Sequence, residues 1–386
     1  MIISEQMQGY AEKSSWIRKM FEEGARLKAL YGQEQVYDFS LGNPDIPPPH
    51  RVIEAIEDYA AEISHGYMAN AGYAETREQV ASHGSVIYDV RLDAGDIVMS
   101  CGAGGGLNVV LKSILNPGDE VITLAPYFVE YGFYIQNHGG RLVSVPCNKE
   151  FLPDTRAIKE AITEKTRAII INSPNNPTGR VYSRETIEGI RDALMDKPDI
   201  LVISDEPYRR LVYDGVEVPS ILKAIPNSLV VTSASKDISL AGERIGYIAL
   251  GPGIADKDAL CNALILSTRI LGFVNAPALM QKVLAACMDC SIDIAIYRRR
   301  RNILMQVLDE AGLDYAPPEG AFYIFVHAPL GDDLAFSNAL VHENILVVPG
   351  TGFGYKGYVR FAYCLDERYI QAAADGIKRI AQRLKD

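Results

Sequence analysis

The middle of this 386-residue chain alternates short apolar runs with helix-like segments, and this alternation constrains the fold more than any other feature. A typical helix-like segment is SRETIEGIRDALMD (183–196), whose apolar residues recur every three or four positions. Strands that alternate with helices predict an α/β fold with a mostly parallel central sheet covered by helices. The apolar runs are EVITLAP (120–126), RAIIINSP (167–174), ILVISDE (200–206), SLVVTSAS (228–235) and RIGYIAL (244–250).

The last hundred residues mix strands and helices in a different order. The strand-like stretches GAFYIFVHAP, ILVVPG and YVRFAYC occur together with helical patterns at 332–343 and 366–385, which predicts a smaller α+β domain. A chain of this length also exceeds what one hydrophobic core usually supports. We therefore predict an N-terminal arm with part of the small domain in residues 1–47, a large domain in 48–290 and a small C-terminal domain in 291–386.

Charge and hydropathy exclude several classes of protein. The formal net charge of −11 argues against nucleic-acid binding, which needs a basic face. The run Arg298–Arg301 is accordingly predicted to form a solvated face of the helix at 291–312. No apolar run approaches the length of a membrane span, and the N-terminus lacks a signal pattern. We expect a cytoplasmic protein that contacts neither nucleic acid nor membrane.

The six cysteines do not suggest a disulfide framework in a chain of this length. Cys287 and Cys290 form a lone C-x-x-C, without the second ligand pair that a structural zinc site needs. We expect them to lie one turn apart on a helix face. The six histidines show no ligand spacing either, so no metal is predicted.

Polar clusters follow the ends of the predicted strands, which is where ligands collect in parallel sheets. The first cluster, CGAGGGLNVVLKSI (101–114), opens a helix, and its glycines would let backbone N–H groups approach an anion. It is not a dinucleotide fingerprint, because after Gly102 and Gly104 the third glycine position holds Leu107. This excludes a nicotinamide dehydrogenase, and a glycine-rich turn without a ligand stays open.

The next two strands end in NSPNNPTG (172–179) and SDEPY (204–208). In the first, Asn175 or Asn176 could turn its amide toward a ligand, although all these residues also suit a plain turn. In the second, Asp205 could cap a helix or act as an acid that holds a ligand's proton, with Tyr208 three residues further on.

A fourth cluster, SASKDISLAGER, places Lys236 at the end of another strand. Its amine could act as a nucleophile, and Ser233, Ser235 and Arg244 are donors suited to a phosphate. Taken together, the strand ends offer phosphate donors, an amide, a carboxylate with a phenol, and a lysine. This combination predicts one site for a phosphorylated aromatic aldehyde.

The motifs SPNNPTG, SDEPY and SASK followed by GERIGY, with a late arginine, resemble those of one known family. The chain resembles the pyridoxal-phosphate-dependent class I/II aminotransferases, the fold-type-I aspartate aminotransferase superfamily, from FSLGNPD (39–45) to YVRFAYC. The resemblance implies a large pyridoxal-phosphate-binding domain and a smaller α+β domain. It also implies a homodimer whose active site is shared between the subunits.

The resemblance implies roles for individual residues. Lys236 would bind the cofactor aldehyde covalently and later carry a proton, Asp205 would keep the ring nitrogen protonated, and Tyr208 and Asn176 would bind the phenolic oxygen. Ring stacking falls to Phe128 (or else Tyr127), and Tyr67 would contact the phosphate bound by the partner subunit. Arg360 and Gly42 would bind the substrate carboxylate. The residues that would bind the phosphate within the same subunit are Ala103, Gly104, Ser233, Ser235 and Arg244.

The activity implied is transfer of the amino group of an L-amino acid to a 2-oxo acid such as 2-oxoglutarate, by a ping-pong mechanism through pyridoxamine phosphate. A carbon–sulfur β-lyase using the same cofactor is the nearest alternative, and a non-enzymatic regulator would need a basic N-terminal extension. Gly104 and Gly105 stand where several aspartate-preferring relatives have a cation or an amide. We therefore expect neutral or aromatic donors, unless a cation such as Arg18 or Arg26 arrives from the N-terminal arm.

Overall fold

The computed structural model describes residues 2–13 and 16–385 of the chain. The helices, in chain order, are α1 (Glu5–Lys13), α2 (Trp16–Tyr31), α3 (His50–Ala60), α4 (Ala74–Tyr88), α5 (Gly102–Ile114), α6 (Glu130–Asn137), α7 (Thr155–Ala161), α8 (Arg184–Ala193), α9 (Ile221–Ala224), α10 (Lys257–Ile270), α11 (Ala278–Ala286), α12 (Ile294–Glu310), α13 (Asp333–Val341) and α14 (Glu367–Arg383). The strands are β1 (Tyr37–Asp38), β2 (Ile97–Ser100), β3 (Glu120–Ala125), β4 (Arg141–Pro146), β5 (Thr166–Asn172), β6 (Leu201–Asp205), β7 (Ser228–Ser233), β8 (Gly246–Leu250), β9 (Tyr323–His327), β10 (Ile345–Leu346), β11 (Val348–Pro349) and β12 (Tyr358–Ala362).

The chain divides into two compact units. The small unit comprises residues 1–42, 295–318 and 322–386, and the large unit comprises 43–294 with 319–321. The sequence analysis placed its boundaries after residues 47 and 290. None of the helices in the described residues combines the length and apolar character of a membrane span.

The large unit is built on a seven-stranded sheet with the strand order β2-β8-β7-β6-β5-β3-β4. Neighbouring strands from β4 to β7 are parallel, and β8 is antiparallel to both of its neighbours. The predicted α/β fold with a mostly parallel sheet is confirmed. The reversed direction of β8 follows from its short connection to β7, which holds only a 3₁₀ turn (Ala241–Glu243) where a parallel pair needs a long crossover.

Helices cover both faces of this sheet, as the continuous burial of its central strands requires. On one face, α5, α6 and α10 pack through Leu107, Tyr131 and Leu264 against the sheet. On the other, α4, α8 and α11 form a second core that includes Val80 and Ile187. Alternate residues of each central strand therefore enter different cores.

The small unit contains the three-stranded antiparallel sheet β11-β12-β9 and the short parallel pair β1-β10. Helix α14 begins where the Asp366 carboxylate caps the N–H group of Arg368, and it buries one face that includes Ile370 and Ile377. Strands β9 and β12 are buried apart from one end residue each, whereas both residues of β1 are half-buried.

The arginine run in α12 corrects one sequence-based prediction. Arg298 and Arg299 are exposed, but Arg300 and Arg301 are both 8% exposed. Arg301 donates a hydrogen bond to the Pro318 carbonyl oxygen at 3.2 Å. Four consecutive residues span most of a helical turn, so one solvated face cannot hold all of them. The prediction of a wholly solvated run was wrong for these two residues.

The C-x-x-C pair also lies outside the predicted helix face. Helix α11 ends at Ala286, and the Cys290 N–H donates to the Cys287 carbonyl oxygen in the turn that follows. All six cysteines are free thiols.

Candidate active site

Strands β5 and β6 end side by side, and an asparagine joins their ends. Asn172, the last residue of β5, is the register partner of Asp205 and donates its side-chain amide to the Asp205 carbonyl oxygen at 2.8 Å. Its amide oxygen accepts the Asn176 N–H at 2.7 Å. The sequence analysis missed Asn172, because its amide binds only backbone groups that the fold brings near. These bonds bring Asn176 to the end of β6.

Asn175 serves the turn itself. Its side-chain oxygen accepts both the backbone N–H and the hydroxyl of Thr178, at 3.1 and 2.9 Å. Of the two asparagines that the sequence left open, Asn175 is therefore committed to local turn structure, which favours Asn176 as the ligand-facing residue.

Asp205 is a buried carboxylate in which one oxygen accepts a hydrogen bond and the other has no hydrogen-bond partner among the described residues. The Tyr131 hydroxyl donates to Oδ2 at 2.5 Å, whereas Oδ1 is buried and has no hydrogen-bond partner among the described residues. Burial raises the pKa of Asp205 to about 7, the Tyr131 hydrogen bond lowers it, and the Glu206 charge raises it further. Asp205 accepts no backbone N–H in the manner of a helix cap. The structure thus presents an acid ready to accept one more donor.

Lys236 lies three residues beyond the end of β7 and is half-buried. Its Nζ lies 6.0 Å from the centroid of the Tyr208 ring, and Tyr208 is itself buried. Burial raises the pKa of Tyr131 well above its ordinary value, and the charges of Asp205 and Tyr208 add to this shift. The lysine, both phenols and the carboxylate therefore belong to one cluster.

The N-terminal turn of α5 approaches β8 and the Arg244 side chain very closely. A Cβ atom on Gly102, which has φ +70°, would lie 2.7 Å from Arg244 Nη2. A Cβ atom on Gly246 would lie 3.1 Å from both the Gly102 carbonyl carbon and Ser233 Cβ. Only glycine permits this spacing. The result is a small cradle of backbone N–H groups, a guanidinium and a serine at the positive end of a helix.

The remaining predicted phosphate ligands lie on the same elements. Ser233 donates a hydrogen bond to Ser235 at 3.1 Å, and both serines are 7% exposed. Arg244 is largely exposed, and its Nη1 donates to the Ala241 carbonyl oxygen at 2.9 Å. Ala103 and Gly104 are the second and third residues of α5, and both are half-buried.

Three aromatic residues come from α6 and the segment just before it. Phe128 packs edge-on against Tyr131, with ring centroids 5.6 Å apart. Tyr134, one turn after Tyr131, directs its hydroxyl at Gly104. The sequence analysis selected Phe128 but missed both tyrosines. Their spacing of three from Phe128 onward in FVEYGFY is the signal that places them on one side of a helix.

Tyr67 is placed differently from the residues above. It lies between α3 and α4 on the large unit and is 92% exposed. The structure thus leaves this tyrosine available on the surface.

In the small unit, Arg360 and Gly42 lie around one aromatic ring. The Arg360 guanidinium carbon is 4.5 Å from the Tyr323 ring centroid and 4.9 Å from that of Phe353. Its Nη2 donates to the Ser40 carbonyl oxygen at 2.6 Å. A Cβ atom on Gly42 would collide with the Tyr323 hydroxyl. A buried guanidinium held by aromatic faces suits bidentate binding of a carboxylate.

The residues at the strand ends of the large unit can hold a ligand at three points. The glycine cradle binds an anion, Asp205 accepts a proton donor, and the Lys236 amine can form a covalent bond or move a proton. The sequence analysis also named two arginines of the N-terminal arm, Arg18 and Arg26. Arg26 is bound to Glu23 through two hydrogen bonds, and the side chain of Arg18 lies outside the described residues.

Comparison with known proteins shows the family and the fold of this chain. The family described as aminotransferase class I and II matches residues 34–377. An amino transferase from Eubacterium rectale of known structure is 38% identical, with a TM-score of 0.96 and coverage of 100% of both chains. The aspartate/prephenate aminotransferase of Thermus thermophilus is 32% identical over 98% of this chain and 100% of its own. The structure of aspartate aminotransferase from Thermus thermophilus with maleate has a TM-score of 0.88 at 29% identity, covering 98% and 100% of the two chains.

Proposed function

The chain belongs to the class I and II aminotransferases, and we propose that it uses pyridoxal 5′-phosphate to transfer the amino group of an L-amino acid to a 2-oxo acid by a ping-pong mechanism. The single observation that carries the cofactor assignment is Asp205, a buried carboxylate with one oxygen that lacks a partner among the described residues. An unpaired buried acid is unfavourable unless a ligand completes it.

The residues of the large unit fit this cofactor at each of its functional groups. The Asp205 Oδ1 atom suits a protonated ring nitrogen, and the cradle of Gly102 and Arg244 suits a phosphate. Lys236 supplies the amine for the aldehyde, and Phe128 supplies an aromatic face. When bound, pyridoxal phosphate provides an electron sink that stabilises negative charge at the carbon next to the substrate amine.

We assign the protein's own contribution to five residues. Asp205 keeps the ring nitrogen protonated, and Tyr131 holds its carboxylate in one orientation. Tyr208 and Asn176 donate to the phenolic oxygen of the cofactor. Lys236 Nζ would take the proton from the substrate Cα and deliver it to C4′ of the cofactor, which requires the amine to be neutral when it accepts the proton.

For the substrate, we assign α-carboxylate binding to Arg360, with help from the Gly42 backbone, and 2-oxoglutarate as a workable acceptor. Gly104 places no side chain beside the phosphate cradle, and Arg26 is already bound to Glu23. This supports neutral or aromatic donors that rival aspartate, although a relative is named for aspartate and prephenate. Measured kcat/KM values test this. A preference for aspartate over phenylalanine and alanine above about a hundredfold, or ~2.7 kcal/mol, would contradict it.

We further propose a homodimer in which Tyr67 reaches the phosphate bound by the partner subunit. The 92% exposure of this tyrosine supports the assignment, because a role within its own chain would bury it. A fully active monomer in sedimentation experiments would remove the assignment.

The six free thiols suit a reducing cytoplasm, where we place the protein.

Covalent trapping tests the proposed function directly. The purified protein should absorb visible light, and borohydride should fix the cofactor to the peptide that contains Lys236. Lys236→Ala should lose both the label and turnover while the fold is retained. Lys223→Ala is the control, because Lys223 binds Asp89 on the surface and should keep the label. Labelling of another lysine would overturn the assignment.

A further inference from the structure

The Tyr134 hydroxyl occupies the space where residue 104 would carry a side chain. It lies 3.0 Å from the position of the Cβ atom that Gly104 lacks, and the ring carbon Cζ lies 3.7 Å from it. Gly104 is in the first turn of α5, two residues after the glycine that contacts Arg244. The hydroxyl therefore lies beside the first turn of α5, whose backbone N–H groups have no acceptor within the helix.

The Tyr134 side chain is partly buried and packs against the core formed by α5 and α6. Burial raises the pKa of Tyr134 to about 12, the charges of Glu130 and Asp205 act in the same direction, and Arg244 opposes them. The phenol is therefore protonated at neutral pH and can donate one hydrogen bond. The charges of Asp205 and Arg244 both act on this phenol, in opposite directions.

Tyr127 provides an internal comparison. It is a half-buried tyrosine of the same segment, and burial alone raises its pKa. No charged neighbour contributes to that shift. Tyr134 is thus the tyrosine of this segment that combines burial, contact with the α5 turn and coupling to Arg244.

We propose that the Tyr134 hydroxyl is a further phosphate ligand, which donates to the cofactor phosphate in place of the side chain that Gly104 lacks. The inference rests on the proposed function and adds a binding residue to the site. A Cβ atom on residue 104 would lie 3.0 Å from the phenol oxygen, so any larger residue there would require the phenol to shift by a few tenths of an ångström. A packing role for Tyr134 makes a different prediction, because the ring alone would then suffice.

The test compares two ligands that differ only in the phosphate. Full-length enzyme freed of cofactor is titrated with pyridoxal 5′-phosphate and with pyridoxal, and the dissociation constants are measured by absorbance. Tyr134→Phe should weaken the binding of pyridoxal 5′-phosphate by about tenfold or more, which is the loss expected for one hydrogen bond to a charged group. The dissociation constant of pyridoxal should stay unchanged. Tyr182→Phe changes a buried tyrosine of the other core and should change neither constant.

A second variant covers the case in which Tyr134→Phe folds poorly. Gly104→Ala should shift the phenol by a few tenths of an ångström and weaken the binding of pyridoxal 5′-phosphate selectively, by less than Tyr134→Phe does. Gly104→Ser combined with Tyr134→Phe should return a hydroxyl and recover affinity. An unchanged ratio of the two constants, or equal weakening of both ligands, would overturn the role of Tyr134. If the wild-type enzyme binds neither ligand, the proposed function itself fails, and this inference with it.

Discussion

Two neighbouring acids at the end of β6 show how the two faces of the sheet differ. Asp205 faces the core of α5 and α6, where Tyr131 binds one of its oxygens and the other has no partner among the described residues. Glu206 accepts from the Ser204 hydroxyl at 2.7 Å and from Arg209 at 2.9 Å, one bond to each oxygen. Both acids are at most 5% exposed.

The difference separates a binding role from a structural role. Glu206 and Arg209 form a satisfied buried pair, and Arg209 also lies 4.8 Å above the Tyr88 ring on the opposite face. Asp205 leaves a polar atom unsatisfied, which a chain tolerates where a ligand supplies the missing partner. Adjacent residues of one strand thus serve different purposes, because their side chains enter different environments.

The largest expected effect is a difference in kcat between a variant of Asp205 and a variant of Glu206. Asp205→Ala should lower kcat by at least about 10³-fold, because an oriented charge in a water-poor site is a large catalytic contribution. Glu206→Gln should keep kcat within about tenfold once the protein is folded. Steady-state kinetics on both purified variants provide the measurement. Comparable losses in the two variants would abolish the distinction.

Stability should respond in the opposite order. Glu206→Gln leaves Arg209 buried without its carboxylate and should lower the free energy of unfolding by about 3 to 5 kcal/mol. Asp205→Asn breaks no ion pair and should cause no such loss. Urea unfolding followed by circular dichroism measures both. An unchanged urea midpoint for Glu206→Gln would show that the pair is dispensable.

The pH dependence of stability should carry the signature of Asp205. The Asp205 carboxyl has a pKa of 3.8 in the unfolded chain and of about 7 in the folded protein. The folded state therefore binds more protons than the unfolded state at pH values between these two. Stability from this group is therefore present at low pH and is lost as the pH rises through about 7. In cofactor-free protein, Asp205→Asn should match the wild type near pH 4 and exceed it at pH 8 by a few kcal/mol. If the melting temperatures of Asp205→Asn and the wild type differ by the same amount at every pH in this range, the raised pKa of Asp205 is contradicted.

The smallest effect concerns the hydrogen bond that holds Asp205. Tyr131→Phe removes one bond to a charged acceptor, which corresponds to ~1.5–3 kcal/mol. Because this bond lowers the pKa of Asp205, its loss should move the acid limb of the kcat profile to higher pH. Tyr182→Phe is the matched control, since Tyr182 is a fully buried tyrosine of the other core. If the two variants have the same pH profile of kcat, the role of Tyr131 is limited to packing.

Much of the architecture could be predicted because its signals are local. Runs such as ILVISDE and SLVVTSAS mark buried strands, and the helices between them predict the parallel sheet that is observed. The rule that strand ends collect ligands then selected Asp205, which the structure places beside the end of β5. The direction of β8 was not predictable in this way, because the strand pattern does not record which way a strand runs.

The sequence by itself therefore determined the strands, the helices and the polar residues at the strand ends, since each depends on neighbours a few positions away. Only the tertiary structure decided that Tyr131 meets Asp205 across 74 positions, that Gly102 makes room for Arg244, and that Tyr134 fills the space beside Gly104. It also decided that Arg301 is buried rather than solvated. These contacts depend on how helices dock on the sheet, and docking is set by the shape and packing of whole surfaces, which no short stretch of sequence encodes.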